Sequence, residues 1–352
     1  MEKKFFTDDE RDYLEVLLED KGRRIVLYHT DPDGICSAAM IAKLFSDIEF
    51  IPRKGPSFTK EFVDVLIEKK PDILIAIDLP IDQDTETINR LKKEIPGLRM
   101  SIIDHHIYES NMNPEILHIN PRFHKKGIYM PAACMIYRLL EAMKLDVKPM
   151  LWIAAAGVIG DMGMADCGKL LADTKKGFPY LLKKEPRDSK IMDAVETISA
   201  VITMTGLKGA ANCLKAIKDA DGFEDFVKNE KLAKLRSDFN EEFEYVTGGF
   251  EKEHVDHKKN IWSYRIDSAY SITSQVANHF GLEFPDNIII IKKVHNQRWK
   301  MSIRGHNTKL NLGDIVKKSV KGLGSGGGHE KAAAALVSDW DKFIEKFVEN
   351  VK

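Results

Sequence analysis

Hydrophobic positions in the first hundred residues fall in short unbroken runs, and each run stops at a loop rich in acids or imidazoles. Residues 24 to 29 read RIVLYH, which ends at the polar segment TDPDG before SAAMIAKLF takes up a helical period. The same order returns in residues 72 to 78 (DILIAID), followed by LPIDQDTETINRLKKEI, and in residues 98 to 104 (LRMSIID), followed by two histidines and a polar loop. Runs of this length without alternation suit strands buried on both faces, and their alternation with helices gives a parallel sheet covered on each side. An amphipathic helix over about residues 8 to 21 precedes them. A helical stretch from residue 130 to 163 follows, with Asp161 at its glycine-flanked end.

From about residue 186 to 250 the pattern is helical and more polar, without a strand signal. Beyond residue 251, NIWSYRID, NIIIIKKV and RWKMSIRG have the composition of strands, interleaved with SITSQVANHFGLEF and closed by the helix DWDKFIEKFVENVK. The expected fold is therefore α/β: a parallel-sheet domain over residues 1–185, a helical connector over 186–250 and a smaller mixed α/β domain over 251–352. The glycine run from Gly322 to Gly328 is expected to be a loop between two elements of that last domain.

In parallel sheets the ligand site lies beyond the carboxyl ends of the strands. His29, Asp31 and Asp33 end the first predicted strand, Asp78 ends another, and Asp104, His105 and His106 end a third. Taken singly, such an aspartate serves equally as a helix N-cap or an Asx turn, and a His-His pair as a solvated loop. Together they call for another explanation, because an apolar sheet has no packing reason to place acids and imidazoles at successive strand ends. Hard divalent cations prefer carboxylate oxygen, with imidazole favouring the manganese and iron end of the series. His29, Asp31 and Asp33 occupy alternate residues, so in an extended segment they share one side and can share an ion. Two ions about 3.5 to 4 Å apart would hold the attacking and leaving oxygens of an in-line displacement at phosphorus. Asp78 is the natural bridging carboxylate.

Length and charge narrow this further. At 352 residues and 43% hydrophobic the chain suits two medium domains better than one large core. Lys+Arg and Asp+Glu nearly cancel, 53 against 54, so any contact with nucleic acid must come from a local patch. Residues 291–321 supply one on paper, with Lys292, Lys293, Arg298, Lys300, Arg304, Lys309, Lys317, Lys318 and Lys321 against Asp314; the outer lysines also fit a solvated face. Trp299 and His306 could stack on bases or belong to the core. His118, His124, His254, His257, His279 and His295 lie outside any motif. Cys36, Cys134, Cys167 and Cys213 are scattered, which suggests neither a disulfide framework nor a zinc site and fits a reducing compartment. No stretch approaches the ~20 apolar residues of a membrane span, so a soluble, cytoplasmic protein is expected. With no GxxxxGK[ST] segment, movement powered by ATP is not expected.

These residues resemble the motifs of the DHH-family phosphoesterases, and within them those of RecJ-type nucleases and nanoRNA-degrading phosphodiesterases. The match runs through His29-Thr30-Asp31-Pro32-Asp33-Gly34, then Asp78, then Asp104-His105-His106, then Asp161 in GVIGDMG. The resemblance implies two manganese ions, with magnesium or cobalt as substitutes, held by His29, Asp31, Asp33, Asp78, His105 and Asp161, with Asp78 bridging. It implies a catalytic set of Asp33, Asp78, Asp104, His105 and His106, in which Asp104 orients an imidazole and His106 faces the substrate phosphate. Gly326, Gly327, Gly328 and His329 match the glycine-histidine signature of the DHH-associated substrate-binding domain, and Arg304 matches an arginine that grips a phosphate there. Two departures stand out: Ala334, where relatives commonly have glycine, and Ile35, where nanoRNA-type and pyrophosphatase-type members usually carry a second aspartate. Asp31 sits where RecJ-like members have it.

The implied activity is hydrolysis of single-stranded DNA or RNA from an end, in a cleft between the two domains. NanoRNA, a cyclic dinucleotide or 3′-phosphoadenosine phosphate are alternative substrates, and inorganic pyrophosphate is a poorer one. An inactive replication scaffold would be expected to lack ligands that this chain retains. Implied partners are single-stranded nucleic acid or short oligonucleotides, and a second copy or a replication or repair protein, with no membrane.

Overall fold

The computed structural model describes residues 5–55 and 58–351. Two compact units divide the chain, Met1–Arg236 and Ser237–Lys352, and the division falls within the helix Glu230–Thr247.

In the first unit β1 (Arg24–His29), β2 (Ile48–Arg53), β3 (Ile73–Ile77), β4 (Arg99–Ile103) and β5 (Leu117–Ile119) form one sheet in the order β2-β1-β3-β4-β5. Every pairing in it is parallel. The three apolar runs are thus strands, as the pattern predicts. β2 and β5 left no comparable signal: IEFIPR carries Glu49 and Pro52 and is half-buried throughout, as an edge strand can be, and β5 is only three residues long. Alternate residues of β1 serve opposite cores. Val26 and Tyr28 pack with the helices Pro32–Leu44, Ala132–Ala142 and Leu151–Gly160, while Ile25 and Leu27 pack with Lys60–Lys69 and Thr85–Glu94. The helices Met192–Thr205, Leu207–Asp219 and Phe223–Val227 join the first of these cores through Ile198, Cys213 and Phe226.

The helix Pro32–Leu44 is buried over ten consecutive residues, Asp33 to Ala42, which its alanines, Cys36 and Ser37 permit by letting neighbours close in on several sides. Glycines on a facing helix complete the fit. A Cβ on Gly157 would stand 2.5 Å from the Cβ of Ala133 and 3.1 Å from that of Cys36, and one on Gly160 would stand 2.5 Å from the Cβ of Pro32.

In the second unit β6 (Val255–Asp256), β7 (Ile261–Arg265), β8 (Ile288–His295), β9 (Arg298–Arg304), β10 (Gly324–Gly328) and β11 (Ala332–Val337) form a sheet in the order β10-β11-β9-β8-β7-β6. Only β7 and β8 run parallel. The helices Leu312–Ser319 and Trp340–Asn350 share a core with Ile290, Met301 and Ala333, and the helix Thr273–Glu283 shares another with Ile289 and Ile291. Here one expectation is corrected. The glycine run is not a loop, since Gly326, Gly327 and Gly328 lie in the edge strand β10, paired with Ala335, Ala334 and Ala333. Glycine is a poor strand former, so composition pointed the other way. The strand keeps glycine because neighbours press on it: a Cβ on Gly326 would meet Val316 Cγ1 at 2.8 Å, and a Cβ on Gly313 would meet the Gly328 carbonyl oxygen at 2.2 Å.

All four cysteines are free and buried. Among the described residues no helix is long and apolar enough to cross a membrane. Filling the contact at Gly157 should be costly. Gly157→Val is expected to destabilise the first unit by about 1 to 3 kcal/mol or more, read as a drop in Tm. Gly168→Ala is the control: it opens the helix Gly168–Gly177 with free space around it, and its Tm should move by no more than about 1 kcal/mol allows.

Candidate metal centre

The strand order places β1 beside β3 while the chain leaves them for opposite faces: β1 enters the helix Pro32–Leu44 on one side, and β3 leads to Thr85–Glu94 on the other. Such a reversal opens a crevice at the carboxyl ends, where ligands of doubly wound sheets bind. His29 is the last residue of β1 and Asp78 directly follows β3. The motif residues of the first unit converge on this crevice.

Three overlapping groups form there, His29, Asp31 and Asp78; Asp78, His105 and His106; Asp33, His105 and Asp161, with ligand atoms inside each group within 4.8 Å of one another. Asp78 lies at the centre. Its Oδ2 is 3.3 Å from His29 Nδ1, while its Oδ1 is 3.2 Å from His105 Nε2 and 3.8 Å from His106 Nδ1. His29 Nδ1 is also 2.9 Å from Asp31 Oδ2, and His105 Nε2 is 3.6 Å from Asp161 Oδ2 and 3.8 Å from Asp33 Oδ2. Ligands about 2.1 Å from one ion at right angles lie about 3 Å apart, so these spacings suit atoms arranged around cations.

Each carboxylate is set by a local device. Asp31 caps the helix Pro32–Leu44, accepting the Gly34 N–H on Oδ1 at 2.9 Å. A Cβ on Gly34 would lie 2.4 Å from the His29 carbonyl oxygen, so the turn after β1 requires glycine. Asp33 is wholly buried and accepts the N–H groups of Ala132 and Ala133 at 2.7 Å each, at the N-terminus of the helix Ala132–Ala142, whose dipole favours a negative charge. Asp78 stands at φ 57°, a left-handed conformation that aspartate adopts more readily than most residues, and donates its N–H to the Ile103 carbonyl at 2.9 Å. Asp104, buried, accepts the His106 N–H at 3.1 Å and pairs with His106 Nδ1 at 2.8 Å. The imidazole that Asp104 orients is therefore that of His106, which is 41% exposed.

The electrostatics ask for cations. Burial raises the Asp33 carboxyl well above the usual carboxylate range, and the charges of Asp78, Asp161 and Asp31 add to it. Burial likewise lifts Asp161 to about 6, against the pull of His105. Burial would raise Asp78 too, but the hydrogen bonds and charges of His105 and His29 outweigh it and hold Asp78 well below the usual range. Both Asp78 oxygens and His29 Nδ1 are nevertheless buried without a partner in good hydrogen-bond geometry. Acids crowded together, with buried oxygens that face imidazole nitrogens, make a donor set that divalent cations fit. Burial would depress His106, yet Asp104 raises it to about 9, which leaves a partly exposed cation at the rim.

Sequence reasoning missed several contributors. Asn120, just after β5, donates to the His106 carbonyl at 3.1 Å, and Arg122 Nε donates to the His105 carbonyl at 2.8 Å. Tyr129 donates its hydroxyl to Asp161 Oδ2 at 2.8 Å. Arg53, paired in register with His29, lays its guanidinium 3.7 Å from the Phe62 ring centroid and pairs with no carboxylate among the described residues. None of these carries a motif signal; Asn120 would have needed β5 to be recognised.

In the second unit Arg304 ends β9 and, among the described residues, bonds neutral groups, Ser274 Oγ at 2.7 Å, the Ile303 carbonyl at 2.9 Å and Asn278 Oδ1. Arg304 is in register with Ala332, and Ala333 with Gly328, so the arginine and the exposed His329 share one end of the sheet. The basic run, by contrast, disperses. Lys293 is buried on the Ser268 and Tyr270 carbonyls at 2.9 and 2.6 Å, Lys292 Nζ lies 3.4 Å from the Trp340 ring centroid, and Arg298 bonds the Leu336 carbonyl. Trp299 packs towards Trp340 with ring centroids 6.4 Å apart, and His306 packs beside Gly281. Lys309, Lys317, Lys318 and Lys321 stay exposed.

Comparison with known proteins agrees with this architecture. Residues 24–159 match the model of the DHH family, N-terminal domain, and residues 260–352 match that of the DHHA1 domain. No curated protein sequence matches the chain. Among solved structures, the DHH domain of a protein described as a member of a family of ribosomal proteins superposes with a TM-score of 0.74 at 18% identity, over 97% of this chain and 88% of that one. RecJ of Thermus thermophilus, in complex with Mn2+, gives 0.70 at 16% identity over 97% of this chain and 53% of its own, so this chain spans about half the length of that protein. A pGpG-specific phosphodiesterase of Vibrio cholerae gives 0.52 at 14% identity over 93% and 99%. At these identities the superpositions establish the fold, and the two domain matches establish the rest: the chain belongs to the DHH family of metal-dependent phosphoesterases and carries a C-terminal DHHA1 domain.

Proposed function

We propose that the protein is a manganese-dependent phosphodiesterase that hydrolyses single-stranded DNA or RNA from an end. One observation carries this reading: Asp78 is buried, its oxygens lack good donors, and it faces His29 on one side and His105 on the other. That geometry suits a carboxylate shared by two ions. One ion would be held by His29, Asp31 and Asp78, the other by Asp33, His105, Asp161 and Asp78. Ions bound there would supply an activated water and neutralise charge on the phosphorus centre during in-line displacement. His106, kept cationic by Asp104, stands at the rim to hold a non-bridging phosphate oxygen. Arg53 adds a second positive group in register with His29, without a carboxylate partner among the described residues. In the second unit Arg304, whose partners among the described residues are neutral, and His329 are suited to grip a phosphate, with Gly326 to Gly328 shaping that edge.

A second reading has its own support. The likeness in fold to a pGpG-specific phosphodiesterase over 93% of this chain favours substrates as short as a dinucleotide. Turnover of dinucleotides against that of ~20-mers separates the two.

End-labelled DNA and RNA oligomers with manganese, labelled in turn at each end, should lose nucleotides progressively from one terminus. No cleavage of any phosphodiester under any divalent ion would refute the proposal. Asp78→Ala should abolish both cleavage and manganese binding measured by calorimetry, and retained manganese-dependent activity in that variant would overturn the site assignment. Manganese should also raise the Tm of the wild-type protein, since a ligand at 100 times its Kd adds about 2.7 kcal/mol to the folded state; in the Asp78 variant that shift should vanish.

A further inference from the structure

Tyr129 belongs to none of the motifs, yet it is fixed at several points beside the centre. Its N–H donates to Asp166 Oδ2 at 2.9 Å and its hydroxyl to Asp161 Oδ2 at 2.8 Å. Its ring meets the His105 imidazole edge-on, with centroids 5.0 Å apart. Gly163 backs it: a Cβ there would lie 3.5 Å from Tyr129 Cδ1 and 2.1 Å from Pro131 Cγ, so the chain comes close behind the ring. Despite these restraints the side chain is 39% exposed. An aromatic ring that is held still and left open to solvent has already lost the freedom that binding would otherwise cost, which suits a contact surface.

Two other large apolar side chains stand open beside the ligands. Ile107 follows His106 and is 70% exposed, and Met162 follows Asp161 and is 67% exposed. Both follow residues of the polar cluster directly in the chain. A patch of this kind suits a ligand that brings its own flat apolar surface next to a phosphate.

We infer that Tyr129 is the platform on which the nucleobase next to the scissile phosphate rests, while its hydroxyl positions Asp161. The inference rests on the phosphodiesterase reading above and deepens it, since it requires a base adjacent to the bond that is cut. Inorganic di- and triphosphates offer the metal centre nothing for this platform to hold. Tyr129 acts in two separable ways, the ring towards the base and the hydroxyl towards a ligand carboxylate.

The test compares two short oligonucleotides that differ only at the terminal residue, one with a base and one with an abasic tetrahydrofuran unit, together with manganese affinity by calorimetry. Wild-type protein should favour the substrate that carries the base. With manganese saturating for each variant, Tyr129→Leu should raise KM for that substrate by roughly 5- to 150-fold more than KM for the abasic one, the value of one base-aromatic stack. Tyr129→Phe keeps the ring, so it should keep the base preference, while its manganese affinity falls by about 10-fold with the loss of the bond to Asp161. Equal losses on both substrates in Tyr129→Leu, or unchanged manganese affinity in Tyr129→Phe, would overturn the platform or the positioning role respectively while the phosphodiesterase reading stands. Wild-type protein that cuts neither substrate brings down the phosphodiesterase reading, and the platform with it.

Discussion

Negative charge gathered at the mouth of an apolar sheet is the constraint around which the first unit is arranged. Asp33, Asp78 and Asp104 are all but inaccessible to solvent, and a buried ion without compensation costs several kcal/mol. Each has a different compensation. Asp33 sits on two N–H groups at a helix N-terminus, Asp104 on an N–H and an imidazole, and Asp78 on imidazoles alone. Asp78 is the least satisfied of the three, and it stands between His29 on one side and His105 on the other. The close helix contacts at Gly157 and Gly160 follow from the same need, because the helix that carries Asp161 must approach the one that begins at Pro32.

Much of this was legible in the amino-acid order. Strands buried on both faces leave unbroken apolar runs, and a polar residue at the end of such a run has no packing role, so His29, Asp78 and Asp104 declare themselves. The expectation that Asp31 could merely cap a helix was also sound in its way, since Asp31 does cap one, and it faces His29 with its other oxygen. What stayed hidden has a common physical cause. Asn120, Tyr129, Arg53 and the N–H groups of Ala132 and Ala133 act through positions that only tertiary packing defines, or through backbone that every residue possesses. The pairing of Asp104 with His106 likewise depends on rotamers, which residue spacing does not specify.

The second unit shows composition misleading in two opposite directions. Glycine in series argues for a loop because it lowers the strand's own preference, yet β10 is paired along its length and keeps its glycines because a helix and the strand β11 press on it. Lysines and arginines in series argue for a basic face, yet strand alternation sends neighbours to opposite sides and buries the stems of several. Lys292 lies on an indole ring and Lys293 caps carbonyls. Arg304 is singled out by something composition cannot express, a guanidinium held by a hydroxyl, an amide and a carbonyl, with no acid among its bonded partners in the described residues.

The bonds from Ala132 and Ala133 to Asp33 span about a hundred residues of chain. During synthesis, then, the first motif leaves the ribosome long before the helix that steadies its buried carboxylate, and Asp161, the last of the cluster in the chain, follows later still. A nascent chain that carries only His29, Asp31 and Asp33 holds a few solvated side chains with nothing to gather them. Assembly of the cluster is thereby deferred until nearly half the polypeptide has emerged, and a truncated product made up to that point has the first motif without the residues that gather around it.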